Sequence, residues 1–128
     1  MATVVPLGVK LASSRLPRDR VMYAVVRINQ LDPDRVRDAQ HELDEFEQAH
    51  AAQPGYRGTL SVDLGGNRQL VVNLWESEQQ AADARAALGP TVGRLLNPVL
   101  TQPSQLLGAG VVTALQLLPP PPGEGQLT

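Results

Sequence analysis

An asparagine and the single tryptophan of the chain, Asn73 and Trp75, stand two residues apart in the apolar run over residues 70–75. The run has the composition of a buried strand, and residues two apart on a strand point to the same side of a sheet. The amide of Asn73 can then donate to a developing oxyanion while the indole holds an aromatic ring. The alternative is that Trp75 fills the end of the core with its N–H bonded to a backbone carbonyl.

His50 is a candidate base near the end of a predicted helix. The apolar stripe of that helix, spaced by three and four residues, consists of Val36, Ala39, Leu43, Phe46 and His50. A neutral imidazole at this position can accept a proton, whereas a protonated one is favoured by the negative end of the helix dipole. The alternative for His50 is a packed or capping residue. Phe46 would line the same space, and His41 is expected to face solvent.

Three further side chains are candidates for binding a substrate. Arg27 and Tyr23 share one face of the first predicted strand, where the guanidinium can bind an anionic or enolate oxygen. Arg27 can instead pair with Asp63 or Glu76 at the sheet surface. Tyr56 follows a turn glycine, and its ring can either gate a pocket or pack over the hairpin.

These residues predict one pocket between the first helix and the sheet. The predicted catalytic residues are Asn73, Trp75 and His50, and the predicted substrate-binding residues are Arg27, Tyr23, Phe46 and Tyr56. No metal is expected, because the two histidines fall on different faces of one helix and the chain has no cysteine.

The elements that must position the pocket follow the order strand, helix, strand, strand, helix, strand. The predicted strands cover residues 21–29, 56–63, 68–75 and 107–117, and the predicted helices cover 33–52, 78–88 and, briefly, 91–96. Asp32 and Ser77 can cap the long helices, and Gly89 with Pro90 is expected to end the second. This order predicts an α+β fold on the ferredoxin-like βαββαβ plan, with an antiparallel sheet and helices on one face.

The other face of such a sheet needs a cover if it is apolar. Both alternating sets of the last predicted strand are largely apolar, namely Ala109, Val111, Thr113 and Leu115 against Val112 and Ala114. In the strand over 56–63, Tyr56, Gly58, Leu60 and Val62 are expected to share a face. A second copy of the chain is the simplest cover, which predicts a homodimer whose two sheets form a barrel-like core.

Length and composition bound the remaining alternatives. The 128 residues suffice for one domain, predicted over 21–117, between a flexible arm over 1–20 and a proline-rich flexible tail over 118–128. A net charge of −2 argues against nucleic-acid binding. No apolar run is long enough for a membrane span, and no secretory signal is recognisable, so a cytoplasmic location is expected.

Three segments carry a resemblance to a known family: Met22 to Arg27, Gln53 to Gly58, and Leu74 to Glu78, which reads Leu-Trp-Glu-Ser-Glu. In this order they resemble the antibiotic-biosynthesis monooxygenase-like family of dimeric α+β barrels, over about residues 21–117. The resemblance implies a homodimer and, in the cofactor-free oxygenases, an Asn and a Trp that line the substrate pocket.

The haem-degrading branch with a similar strand end is not expected. It needs an Asn on the first strand, where this chain has Val26, and a histidine after Trp75, where it has none.

Two functions therefore remain open. The first is a cofactor-independent monooxygenase acting on an aromatic or polyketide-like small molecule. The second is a non-catalytic, ligand-binding or stress-associated dimeric module. The four aromatic residues of the chain are few for gripping a flat polycyclic substrate, which favours the second function.

Overall fold

The computed structural model describes residues 22–119. The four strands are β1 (Tyr23–Gln30), β2 (Tyr56–Gly65), β3 (Arg68–Trp75) and β4 (Gln105–Val111). The helices are α1 (Pro33–Asp38), α2 (Gln40–Ala51) and α3 (Glu78–Thr91), and α3 runs into a π-helical turn (Val92–Leu96) and a 3-10 turn (Asn97–Val99). The predicted arm over 1–20 and most of the predicted tail lie outside the described residues.

The strands form one antiparallel sheet in the order β2-β3-β1-β4. This is the strand order of the ferredoxin-like plan, so the predicted fold class is confirmed. The core lies on the helix side, where Trp75 packs with Ala81, Ala84 and Leu88 of α3. Because side chains alternate along a strand, the neighbours of Trp75 on β3 point to the opposite side.

The predicted helix over 33–52 is interrupted, and this part of the prediction was wrong. Asp32 caps α1 as expected, with its carboxylate accepting from the amides of Asp34 and Arg35 at 3.0 and 3.2 Å. At Ala39 the amide turns back to the carbonyl of Val36, three residues earlier, and φ and ψ are −113° and 27°. This tight turn separates α1 from α2. The predicted apolar stripe from Val36 to His50 is nevertheless half-buried throughout.

Helix α3 continues further than the sequence predicts, because its predicted end is residue 88 and its observed end is Thr91. Pro90 lies inside α3, although a proline removes one helical hydrogen bond. Buried leucines flank it, Leu88 before and Leu95 after, and their packing holds this stretch in place. Two residues after Pro90 the helix passes into the π-helical turn over Val92–Leu96.

The last strand is shorter than predicted and begins earlier. It starts at Gln105 and ends at Val111, not at residue 117. Tyr23 at the start of β1 pairs with Val111, and the carbonyl of Met22 accepts from the amide of Val112 at 2.8 Å. That bond is the last one between β1 and β4 among residues 22–119.

A β-bulge in β2 changes which residues share a side of the sheet. Tyr56 pairs with Trp75 and Gly58 pairs with Leu74, so Arg57 is an extra residue on β2. Tyr56 therefore lies on the helix side. The prediction that it shares a face with Gly58, Leu60 and Val62 was wrong.

The side of the sheet away from the helices is apolar, and we call it the open face. It consists of Ala24, Val26 and Ile28 of β1, Leu70, Val72 and Leu74 of β3, and Leu60 and Val62 of β2. Leu60 is 57% exposed and Val62 is 37% exposed. On β4 the paired residues on this face are Gln105, Gly108 and Gly110, so most of the apolar surface comes from the other three strands, whereas the sequence predicted it for the last strand.

Candidate functional site

Four aromatic rings meet on the helix side of the sheet, and we call them the aromatic cluster: Phe46, His50, Tyr56 and Trp75. The His50 ring lies 5.1 Å from Tyr56 and 5.3 Å from Trp75, measured between ring centroids. Phe46 lies 5.8 Å from His50, one turn earlier on α2. Helix α2 supplies two rings and the ends of β2 and β3 supply the others, so the helix and the strands converge as the sequence predicts.

A chain of polar side chains borders this cluster. The Tyr56 hydroxyl lies 2.6 Å from Oγ1 of Thr59, and Thr59 donates to Oδ1 of Asn73 at 2.8 Å. Asn73 is half-buried and Thr59 is exposed, so the chain leads from the cluster to solvent at the β2 edge. The predicted Asn73 is thus connected to the predicted Tyr56 through a residue that the sequence analysis did not single out.

Thr59 was missed because a regular strand would place it on the opposite side from Tyr56. Residues separated by an odd number of positions normally point to opposite sides of a sheet. The extra residue at the bulge restores them to one side. The signal in the sequence is Gly58, which has φ of +148°, a value that L side chains rarely adopt.

The electrostatics of the cluster favour a neutral histidine. Burial lowers the pKa of His50 below its usual 6.5, because desolvation penalises the charged form. A neutral imidazole keeps a lone pair that can accept a proton.

This lowered pKa predicts a pH dependence of stability. As the pH falls below 6.5, the unfolded chain protonates His50 more readily than the folded protein does. The contribution of His50 to the free energy of unfolding should therefore be fully present above pH 6.5. It should be lost as the pH falls toward the pKa of His50 in the folded protein. Urea unfolding between about pH 7.5 and 5.5 measures this decline. His50→Phe should flatten it, and His41→Gln on the exposed side of α2 should retain it. Equal slopes for wild type and His50→Phe would refute the assignment.

Trp75 is a core residue as well as a member of the cluster. Its side chain is 3% exposed and contacts Ala81, Ala84 and Leu88. The indole therefore supports His50 and Tyr56 from the interior, and the border of the site toward solvent is formed by half-buried Asn73 and exposed Thr59.

Tyr23 borders the aromatic cluster, whereas Arg27 lies four residues further along β1. Tyr23 pairs with Trp75 and packs against the core. Arg27 pairs with Val71 and stands diagonal to Asn73 on the helix side, within reach of a long side chain.

The alternative ion pairs of Arg27 are not formed. Glu76 lies 3.6 Å from Arg57 instead. The Asp63 carboxylate accepts from the amide of Gly65 at 2.9 Å. Within residues 22–119, no carboxylate lies within ion-pair distance of Arg27.

Two surface clefts lie away from the predicted pocket. One is lined by Asn97, Leu100, Thr101, Gln102 and Pro103, and the other by Arg35, Asp38, Ala39, Glu42, Arg94, Leu95, Pro98 and Val99. Neither contains a predicted site residue.

Residues 22–119 also show neither a metal site nor a membrane-spanning helix. No three His, Asp or Glu side chains in it are arranged to hold a metal ion. Among its helices, none has both the length and the apolar character needed to cross a membrane.

The sequence matches no protein-family model and no curated protein, but solved structures resemble the fold. A candidate antibiotic biosynthesis monooxygenase from Nitrosomonas europaea is 13% identical with a TM-score of 0.56, and the match covers 78% of this chain and 96% of that one. SnoaB, a cofactor-independent oxygenase from Streptomyces nogalater, is 20% identical with a TM-score of 0.52, over 79% of this chain and 99% of that one. A conserved protein from Methanosarcina mazei is 13% identical with a TM-score of 0.57, over 76% and 96% respectively. The chain therefore has the ferredoxin-like α+β fold of antibiotic biosynthesis monooxygenase-like proteins.

Proposed function

We propose that the protein is a homodimeric, cofactor-independent oxygenase that acts on an aromatic or polyketide-like small molecule. One observation carries the proposal: His50, whose pKa is lowered by burial, lies beside Tyr56 and Trp75, and Tyr56 is linked through Thr59 to the Asn73 amide at the solvent border. A base, an oxyanion donor and aromatic surface are the groups that proton abstraction from a phenolic substrate requires. The similarity in fold to SnoaB is in accord with this chemistry.

The substrate would lie over the border between α2 and β2. Its ring would contact Phe46 and Tyr56, and its oxygen would accept from the Asn73 amide. Arg27, which lacks a carboxylate partner among residues 22–119, would attract an anionic group from the far side of Asn73. Tyr23 and Trp75 would hold the floor of the site.

The proposed reaction on an anthrone converts a methylene and dioxygen into a ketone and water. His50 removes one proton from the methylene carbon, and Asn73 stabilises the negative charge delocalised onto the substrate oxygen. The carbanion forms a bond to dioxygen and gives a peroxide anion, to which His50 returns its proton. Loss of the second methylene proton then breaks the O–O bond. One oxygen atom remains in the ketone and the other leaves as water, so dioxygen is the only oxidant.

The homodimer part of the proposal is supported by the open face. Eight apolar side chains from β1, β2 and β3 form a surface on the side of the sheet that faces away from the helices of residues 22–119. Each Å² of apolar area removed from water contributes roughly 25 cal/mol, so a second sheet laid on this surface is strongly favoured. A face-to-face pair of sheets would form the dimeric α+β barrel.

A second candidate is a non-catalytic dimeric module that binds a ligand without transforming it. The burial of Trp75 favours this candidate, because a 3% exposed indole cannot grip a ligand directly unless α2 moves. Neither of the two surface clefts is lined by a residue of the aromatic cluster, and this also favours the second candidate.

Oxygen uptake by the purified protein separates the two candidates. The proposed oxygenase should consume oxygen with dithranol, an anthrone, faster than the uncatalysed background and without added metal or flavin. Binding of juglone, a hydroxynaphthoquinone, followed by absorbance, tests the site separately. Binding without oxygen uptake across a panel of anthrones and hydroxynaphthoquinones would support the non-catalytic module, and the absence of both would rule out the proposed function.

A further inference from the structure

The polar chain at the border of the site has a fixed direction. A carboxamide oxygen can only accept hydrogen bonds, so the single hydroxyl proton of Thr59 is used in the bond to Oδ1 of Asn73. The Tyr56 hydroxyl, 2.6 Å from Oγ1 of Thr59, must then be the donor in its own bond. The order of donation is Tyr56 to Thr59 to Asn73.

This direction decides which end of the Asn73 amide faces a ligand. With Oδ1 held by Thr59, the two N–H donors on Nδ2 remain, and no residue in the described part of the chain accepts from them. A carboxamide rotated by half a turn has nearly the same shape but would present its oxygen to the substrate anion, which would repel it. We infer that Thr59 is a positioning residue, which holds the Asn73 amide with its N–H donors toward the substrate oxyanion. This inference rests on the proposed function for the meaning of that orientation.

The β-bulge is the structural device that makes the arrangement available. Tyr56 and Thr59 are three residues apart and would lie on opposite sides of a regular strand. The extra residue, Arg57, places Tyr56 opposite Trp75 and Thr59 opposite Asn73, all on the helix side. Gly58 takes the positive φ at the irregularity. One local distortion therefore aligns the donor, the relay and the amide.

Thr59→Val is the variant that tests the relay, because valine keeps the branched shape and removes only the hydroxyl. The kcat for dithranol should fall roughly 10-fold with little change in KM, since amide orientation matters most when negative charge develops. Bound juglone should also ionise at a higher pH, as followed by its absorbance. Thr59→Ser restores a hydroxyl and should recover most of the rate. Ser61→Ala, on the same side of β2 but opposite Val71, is the matched control and should behave as wild type.

Two results would overturn the inference. One is a Thr59→Val variant that matches wild type in kcat and in the ionisation of juglone. The other comes from NMR of the protein without ligand: strong contacts between the Asn73 amide protons and the Thr59 methyl group would show the amide reversed. The NMR measurement reports the orientation of the Asn73 amide even if neither juglone nor dithranol binds. Failure of both probes to bind would contradict the proposed function, whereas the orientation of the amide would still be decided by NMR.

Discussion

Asn73→Ala is expected to reduce the kcat for dithranol by about 10²- to 10³-fold while the free energy of unfolding stays close to that of wild type. The amide is the proposed oxyanion donor, and removal of one such donor typically costs this much. The truncation costs little stability because Asn73 is only half-buried and its side-chain bond is to exposed Thr59. Steady-state oxygen uptake and urea unfolding are the two measurements. Gln69→Ala, on the same strand and the same side of the sheet, is the control and should retain activity.

Trp75→Phe should show the opposite division between stability and activity. The indole is buried against α3, so a smaller ring leaves a cavity and should cost about 1–3 kcal/mol of stability. The kcat for dithranol should fall only to the extent that His50 and Tyr56 lose the packing that Trp75 provides. If Asn73→Ala binds juglone and turns over dithranol as wild type does, the site is misassigned. If Trp75→Phe alone abolishes turnover with stability intact, the indole contacts the substrate directly.

Local chemistry explains why much of the fold could be predicted. Asp32 and Ser77 cap their helices through bonds that span two or three residues, so the signal lies in the adjacent sequence. The hairpin turn at Gly65, Gly66 and Asn67 takes positive φ at all three positions, as these residue types permit. Periodicity brought His50 and Phe46 to the sheet because a half-buried helix face needs only regular spacing.

The features that could not be predicted depend on partners distant in the sequence. The end of β4 at Val111 coincides with the start of its partner β1 at Tyr23, 88 residues earlier in the chain. Pro90 is tolerated because Leu88 and Leu95 are buried on either side, a tertiary effect that outweighs the intrinsic penalty. The position of the bulge at Arg57 is set by the register against β3, which Gly58 alone does not specify, and it determines that Thr59 joins the site.

Leu60→Glu is expected to convert the proposed dimer into a monomer that remains folded. Leu60 lies on the open face and is 57% exposed in a single chain, so a carboxylate there meets water as long as no partner covers it. In the dimer the same charge would be sealed against apolar side chains without a counter-ion, at a cost of about 2–4 kcal/mol, or roughly 30- to 1000-fold in Kd.

Ser61→Glu is the matched control for that variant, because it places the same charge one residue further along β2 on the helix side. Sedimentation velocity at about 10 μM should show a dimer for wild type and Ser61→Glu and a monomer for Leu60→Glu, with equal circular dichroism for all three. A wild-type monomer at this concentration would show that the open face is not a stable interface between two copies. Dissociation by both variants would indicate that the edge of β2, and not its apolar side, carries the contact. Only selective loss of the dimer in Leu60→Glu identifies the open face as the interface, because the two variants place the same charge on opposite sides of the sheet.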